Sequence, residues 1–294
     1  MRRVLGTCAA IALLAWTDAA LAACELPVRD GPIVSIGGDV TEIVYALGAG
    51  ARVAAVDITS RHPQEARDLP QVGYMRQLSE PILSLSPRLI LAIADAGPPQ
   101  VLDQLQSAGT CLALIPDAHS TEGVIRKVAA VAAALDRKTE GEALAAKLEA
   151  EFAALQSSLS AVTDKPRVLF LFSVGEGAPM VGGRKTSADA IITLAGGENA
   201  IESFEEFKPA SSEGIIAAAP DVVLVTELTL EKLGGHDGLL QRPDIVQTPA
   251  GKAKRIVAME SLLLLGFGPR TPQAIRDLAT ALHPGYVAPP QAAN

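Results

Sequence analysis

The sequence has 294 residues, room for two domains of ordinary size, and 49% of them are apolar against 20% charged, the balance of a core-forming globular chain and not of a disordered one. Its formal net charge of −8, with no run of lysine and arginine, excludes the clustered cations that binding to nucleic-acid phosphates requires. The aromatic set is small, 1 Trp, 3 Tyr and 6 Phe, so few large side chains are available to line a pocket.

Residues 1–23 read as an export signal: Arg2-Arg3 form a basic start, residues 8–16 are apolar, and Ala20-Leu21-Ala22 is a small-residue cleavage pattern. The apolar part is too short to span a bilayer, and no later run approaches the about twenty apolar residues a spanning helix needs. Loss of Arg2, Arg3 and Asp18 with this leader leaves the mature chain at −9. Two readings of the next cysteine stay open. Leu21-Ala22-Ala23-Cys24 resembles a bacterial lipobox, which makes Cys24 a lipidated N-terminus. Alternatively, cleavage falls after Ala22 or Ala23, and Cys24 pairs with Cys111 as a disulfide in an oxidising compartment.

Ile33–Ile36 is a β-branched run ending in Gly37-Gly38, and Asp39 and Thr41 offer N-cap chemistry for a helix through Leu47. A second strand is expected over 53–56, then a polar loop with Pro63 and Pro70. The stretch 72–90 opens with Gly73-Tyr74 and the long polar side chains of Arg76 and Gln77, then enters an apolar helical turn that stops at Pro87. Leu89–Ile93 is a strand, Gly97-Pro98-Pro99 breaks the chain before a helix over 101–108, and Cys111–Ile115 is a further strand. Strand and helix alternating at this spacing predict a parallel sheet covered on both faces.

Residues 120–160 carry alanine and leucine at helical spacing and no proline. They predict one long helix, or two nearly continuous ones broken around Asp136-Arg137-Lys138. Thirty residues of it would span about 45 Å, the length of a strut between two halves. After Pro166 the alternation restarts: a strand over 168–172, a glycine-rich loop over 175–185, helices over 186–194 and 214–219, and the strand Val222–Thr226. A polar loop over 227–238, a strand over 256–258 and the closing helix Thr271–Leu282 follow, the last with Pro272 in its first turn, where proline is tolerated.

The second half repeats the first. Ser79-Glu80-Pro81-Ile82 through Pro87 to Leu89-Ile90-Leu91 matches Ser212-Glu213-Gly214-Ile215 through Pro220 to Val222-Val223-Leu224, at a constant offset of 133 residues. Ile43-Val44 through Leu47 and Gly50 is echoed by Ile191 through Leu194 and Gly197. Two matched units in order, either side of a long helix, predict two related α/β lobes.

Enzyme signatures are missing: the sequence holds no G-x-S-x-G elbow, P-loop or H-E-x-x-H. His62, His119, His236 and His283 are scattered singly and read as surface residues, without the convergence a metal centre needs. Tyr74 has two readings. Its ring packs under the helix that follows, or its phenolate ligates ferric iron, a hard acid suited to anionic oxygen and, in haem, known to take an axial tyrosine. Arg76 is then either a solvated arginine or the group that lowers the phenol's pKa or meets a propionate. Glu80 and Glu213 occupy equivalent repeat positions. One such glutamate is accounted for as a carboxylate at a helix N-terminus; a symmetric pair also suits docking onto a two-fold partner.

The run Val72-Gly73-Tyr74-Met75-Arg76-Gln77-Leu78-Ser79-Glu80, with Ile82-Leu83-Ser84-Leu85 and Pro87, resembles the corresponding segment of periplasmic haem-binding proteins of bacterial haem-uptake ABC transporters. Ile33-Val34-Ser35-Ile36-Gly37-Gly38 with Thr41-Glu42-Ile43, Ala188-Asp189 through Gly196-Gly197, and Leu264-Leu265-Gly266-Phe267-Gly268-Pro269-Arg270 resemble the wider group that also carries cobalamin and iron–siderophores. The resemblance covers essentially the whole mature chain. It implies an α/β fold of two Rossmann-like lobes joined by a long α-helix (a class III periplasmic binding protein), with lobes at 24–118 and 163–286, the joining helix at 119–162 and a tail at 287–294.

It further implies haem b as the transported ligand, held in the inter-lobe cleft with Tyr74 as axial ligand and Arg76 beside it, and Met180 or Arg184 near the other haem face. Glu80 and Glu213 map onto glutamates that dock the inner-membrane ABC permease–ATPase complex, with an outer-membrane haem receptor upstream. Such a chain is a periplasmic carrier and not an enzyme. Pro81 departs from the small residue expected there, and no histidine falls in the 175–184 loop, which leaves tyrosine as the single axial ligand. A siderophore or cobalamin carrier of the same fold, and a periplasmic metal-dependent enzyme, are the alternatives.

Overall fold

The computed structural model describes residues 26–73, 79–173 and 178–291, the side chains of 79–81 excepted. The first lobe runs β1 (Ile33–Ile36), α1 (Gly38–Ala46), β2 (Val53–Asp57), α2 (Gln64–Arg67), β3 (Gln71–Val72), α3 (Ser79–Ser84), β4 (Leu89–Ile93), α4 (Pro99–Ser107) and β5 (Cys111–Ile115). The strands pair in parallel in the order β3-β2-β1-β4-β5. β1 and β4 lie side by side in step, Ile33 against Leu89 and Val34 against Ile90, and every residue of both is buried. Helices cover both faces of such a sheet, which is why these strands read as unbroken apolar runs and not as alternating ones.

Two helices follow, α5 (Thr121–Leu135) and α6 (Lys138–Leu159). The stretch 119–162 is therefore not one helix but takes the other expected form, two helices broken at Asp136-Arg137. Asp136 takes a left-handed conformation, φ 57°, and ends α5 there, in the manner of a helix C-terminal cap. α5 belongs to the first lobe, since its Lys127 meets Asp39 of α1 and its Ala134 carbonyl accepts from the Val28 amide at 2.9 Å. α6 alone crosses between the lobes. Near its start Gly141 lies against α5 so closely that a Cβ would fall 2.4 Å from that of Ala132; near its end the Ser158 hydroxyl meets Tyr286 at 2.6 Å. Its 22 residues span about 33 Å at about 1.5 Å each.

The second lobe comprises β6 (Arg167–Ser173), β7 (Met180–Gly182), α7 (Ser187–Leu194), β8 (Glu198–Asn199), β9 (Phe207–Pro209), α8 (Ser212–Ala218), β10 (Val222–Thr226), α9 (Glu227–Lys232), α10 (Gly235–Leu240), α11 (Pro243–Val246), α12 (Pro249–Ala253), β11 (Ile256–Met259), α13 (Ser261–Leu265) and α14 (Thr271–Leu282). β6, β8, β10 and β11 pair in parallel, and β7 and β9 add an antiparallel wing. Side chains alternate across this sheet. Val168, Phe170 and Leu224 join the core shared with α6, α7 and α14, whereas Leu169, Leu171, Val223 and Val225 form a second core with Ile215, Leu239, Ile245 and Ala250.

The repeat is visible in the topology. The parallel order β2-β1-β4-β5 of one lobe recurs as β8-β6-β10-β11 in the other. Ser86 and Ala219, 133 positions apart, both take φ 45° immediately before Pro87 and Pro220. Two expectations fail locally. The polar stretch 227–238 is no loop but α9 and most of α10, because the Thr226 hydroxyl caps α9 through the Thr229 amide at 3.1 Å. The glycine-rich stretch near 180 holds β7. Among the described residues, no helix is long and apolar enough to cross a membrane.

Candidate ligand-binding site

Parallel α/β sheets present ligand crevices beyond the carboxyl ends of their strands, and in this fold those ends from both lobes meet. At the end of β1 the chain turns through Gly37, φ 111°, a conformation that side chains oppose. A Cβ on the next residue, Gly38, would lie 2.6 Å from Leu262 of α13 and 2.5 Å from the Thr59 carbonyl, so only glycine lets the second lobe approach here. Asp57, the last residue of β2, is fully buried. It accepts from the Gly37 amide at 3.0 Å, the Thr59 amide at 2.9 Å and the Ser60 hydroxyl at 2.6 Å, which fixes the loop after β2. Thr41 and Asp39 do not cap α1 as expected. The Thr41 hydroxyl meets Ser35 at 2.8 Å and Ser60 at 2.7 Å, and Asp39 is an ion-pair partner.

That ion pair is the buried part of a network across the lobe junction. Lys127, fully buried, meets Asp39, pairs with Asp117 at 2.9 Å and donates to the Gly266 carbonyl of the second lobe at 3.3 Å. His119 Nε2 lies 3.2 Å from Asp117, and its ring packs edgewise on Phe267 at 5.3 Å. Arg270 Nε donates to Glu42 at 2.8 Å, and Arg270 also lies 3.5 Å from Glu260. Glu260 in turn caps α13, accepting from the Leu262 and Leu263 amides at 2.9 and 2.8 Å.

Burial pushes the Glu42 carboxyl up to about 7, more than the Arg270 bond and charge pull it down, and burial likewise raises Asp39 against the pull of Lys127. Asp117 goes the other way. Burial opposes its ionisation, but the His119 hydrogen bond and the Lys127 charge outweigh it and hold the carboxyl below the usual carboxylate range.

Beside this junction, at the carboxyl ends of β6, β10 and β11, lies a cavity of about 250 Å³ bounded by Phe172, Leu228, Lys232, Leu233 and Leu265 with Thr226, Thr229, Ser173 and Ser261. Its rim is unusually apolar for a surface: Phe172 is 42% and Leu228 53% exposed. Phe172 lies against Phe207 with ring centroids 5.0 Å apart, and Phe207 meets Phe170 edgewise at 6.2 Å. The Thr229 hydroxyl is consumed by the Phe172 carbonyl at 2.8 Å and receives the Thr226 hydroxyl at 2.9 Å.

Of the residues singled out in the sequence, Tyr74 and Arg76 lie outside the described residues. Their flanks do not. Val72 ends β3 opposite Asp57, at the same carboxyl edge, and α3 opens at Ser79. Glu80 and Glu213 take the same place in the first turns of α3 and α8, and Glu213 is exposed. Met180 pairs with Ser173, which bounds the cavity. Arg184 is not brought to it: it lies 3.6 Å from Glu205 and lines a separate open groove with Lys165 and Lys185.

Cys111 is disulfide-bonded; Cys24, the partner expected for it, lies outside the described residues. His62, His119 and His236 are exposed as expected, but His283 is buried, its Nε2 3.0 Å from the Ala195 carbonyl. Among the described residues no group of three His, Cys, Asp or Glu is placed to hold a metal. Sequence reasoning missed Lys127 and Lys232. Lys127 had a readable signal, since it shares a helix face with Val124, Val128 and Val131; Lys232 had none.

The model of the family described as "Periplasmic binding protein" matches residues 33–262. The chain belongs to the periplasmic binding protein family. Among solved structures, the binding protein is similar to the periplasmic heme-binding protein RhuT from Roseiflexus sp. RS-1, with 46% identity, a TM-score of 0.82, and coverage of 86% of this chain and 98% of that one. It is also similar to the periplasmic heme-binding protein HutB of Vibrio cholerae, with 35% identity, a TM-score of 0.78, and coverage of 86% and 99%. A curated relative, the vitamin B12-binding protein of Vibrio campbellii, is 27% identical over 205 residues, 69% of this chain and 73% of that protein.

Proposed function

We propose that this binding protein is an exported carrier that holds haem between its lobes and delivers it to an inner-membrane ABC permease–ATPase complex. The 46% identity to a protein named for heme binding, over 86% of the chain, carries the reading. The aromatic-edged cavity beside the lobe junction fits it, since a flat apolar ligand needs apolar walls with a few placed polar groups. Nothing need react: affinity, shielding and release suffice for a carrier, so we read the chain as a non-enzyme.

In this reading Tyr74 supplies the phenolate to ferric iron, and Arg76 stabilises that phenolate or meets a propionate. The chain leaves β3 at Val72 on the carboxyl edge, which supports the assignment, and Met180 approaches the opposite haem face from beside Ser173. Glu80 and Glu213 face the permease, one from each lobe; their matched places in α3 and α8 support this. The periplasm is the compartment, with Cys24 closing the disulfide to Cys111, and an outer-membrane receptor system feeds the carrier.

Cobalamin is the second reading, favoured by the vitamin B12-binding relatives. Absorption titrations of the purified chain with hemin and with cyanocobalamin separate the two. Haem binding appears as a saturable Soret change that cyanocobalamin does not compete away; binding of cyanocobalamin alone would overturn the haem reading.

A further inference from the structure

Among the described residues, the lining of the cavity below Phe172 holds a single charged side chain, Lys232. It stands in the last turn of α9, exposed, and among the described residues no carboxylate is placed within ion-pair distance of it. Of the hydroxyls at that end, those of Thr226 and Thr229 are already occupied by each other, the Phe172 carbonyl and the α9 backbone, and those of Ser173 and Ser261 carry no charge. The remaining walls are Phe172, Leu228, Leu233 and Leu265. An apolar wall carrying one unpaired cation at its mouth is complementary to an amphipathic anion, an apolar plate with a carboxylate at its edge. To a bulky ligand whose periphery is neutral amide it offers no charge to pair.

We infer that Lys232 is the carboxylate anchor of the second lobe and a determinant of ligand class, selecting an anionic porphyrin over a neutral, amide-rimmed ring. This rests on the haem reading above and deepens it. The lysine acts by charge and position at the rim, where a cation keeps its hydration on one side and desolvates little in the unloaded state. Its contribution is that of a partly exposed ion pair.

The test compares hemin with hemin dimethyl ester, in which both carboxylates are neutral, for the full mature chain and its Lys232→Gln and Lys232→Arg variants. Lys232→Gln should bind hemin about fivefold more weakly at low salt, with the deficit shrinking at high ionic strength. Lys232→Arg should restore binding, and the ester should bind all three proteins alike. Equal hemin affinity in Lys232→Gln and the parent chain overturns the inference while leaving the haem reading intact. A loss of the same factor for hemin and ester also overturns it, since that is a packing effect. A parent chain with no Soret response to hemin overturns both.

Discussion

Arg270 and Glu42 form a two-point contact across the junction of the lobes, Nε and Nη2 of the guanidinium both addressing one carboxylate oxygen 228 positions away in sequence. With Lys127, which bonds Asp39 and Asp117 of the first lobe and the Gly266 carbonyl of the second, it ties the carboxyl ends of the two sheets together. Opening the junction would expose or unpair buried charges, and unpaired buried charge is costly.

Glu42 should make stability fall with rising pH. Its folded-state carboxyl is raised from 4.5 to about 7, so between those values the native state holds a proton that the unfolded chain has released. The contribution is full below pH 4.5 and is lost as pH rises through 7, and it amounts to about 3 kcal/mol at most. Urea unfolding at pH 5 and pH 8 should show the parent chain losing stability relative to Glu42→Gln over that interval. Parallel pH profiles would refute the assignment.

Lys127→Met should destabilise the fold by about 3 kcal/mol or more, because two carboxylates lose the cation between them. Chemical denaturation at pH 7 measures this. Acidification should recover part of the loss, since Asp39, already raised by burial, then protonates. A change under about 1 kcal/mol would match a surface lysine and contradict the network.

At the α5–α6 contact, Gly141→Ala adds a methyl 2.4 Å from the Ala132 Cβ. Alanine in a helix normally gains up to about 1 kcal/mol over glycine, yet overpacking here should win and cost about 1–3 kcal/mol. Pairing it with Ala132→Gly should restore most of the stability in a double-mutant cycle. An additive cycle would show that the two helices do not touch at this point.

Charge reversal at Glu213, exposed in the first turn of α8, or at Glu80 should leave haem binding unchanged and impair stimulation of the transporter ATPase. Full stimulation by both variants would rule out their docking role.

Much of the frame was legible because it is locally encoded. Leu89–Ile93, Cys111–Ile115, Val222–Thr226 and Thr271–Leu282 stand where apolar runs, prolines and caps put them, and the 133-residue repeat pointed to two related lobes, whose strand orders do match. The junction was not legible. Glu42 and Arg270 have no local signature of their pairing, and Asp39 and Thr41 looked like caps because their residue types suit both roles. α9 was hidden since Thr226 ends a strand and caps a helix at once. His283 looked like any isolated histidine until the fold buried it against Ala195. Tyr74 drew attention by its neighbours, but its assignment to haem comes from family likeness and not from spacing.

The proposal of Tyr74 as ligand to haem iron stands or falls on one experiment. The most direct measurement is a hemin titration of the Tyr74→Ala chain, followed in the Soret region beside the parent. A shifted Soret maximum and an affinity lower by about tenfold or more are expected, with the fold unchanged by circular dichroism. A Tyr74→Ala protein that binds hemin with the parent's spectrum and affinity would contradict it.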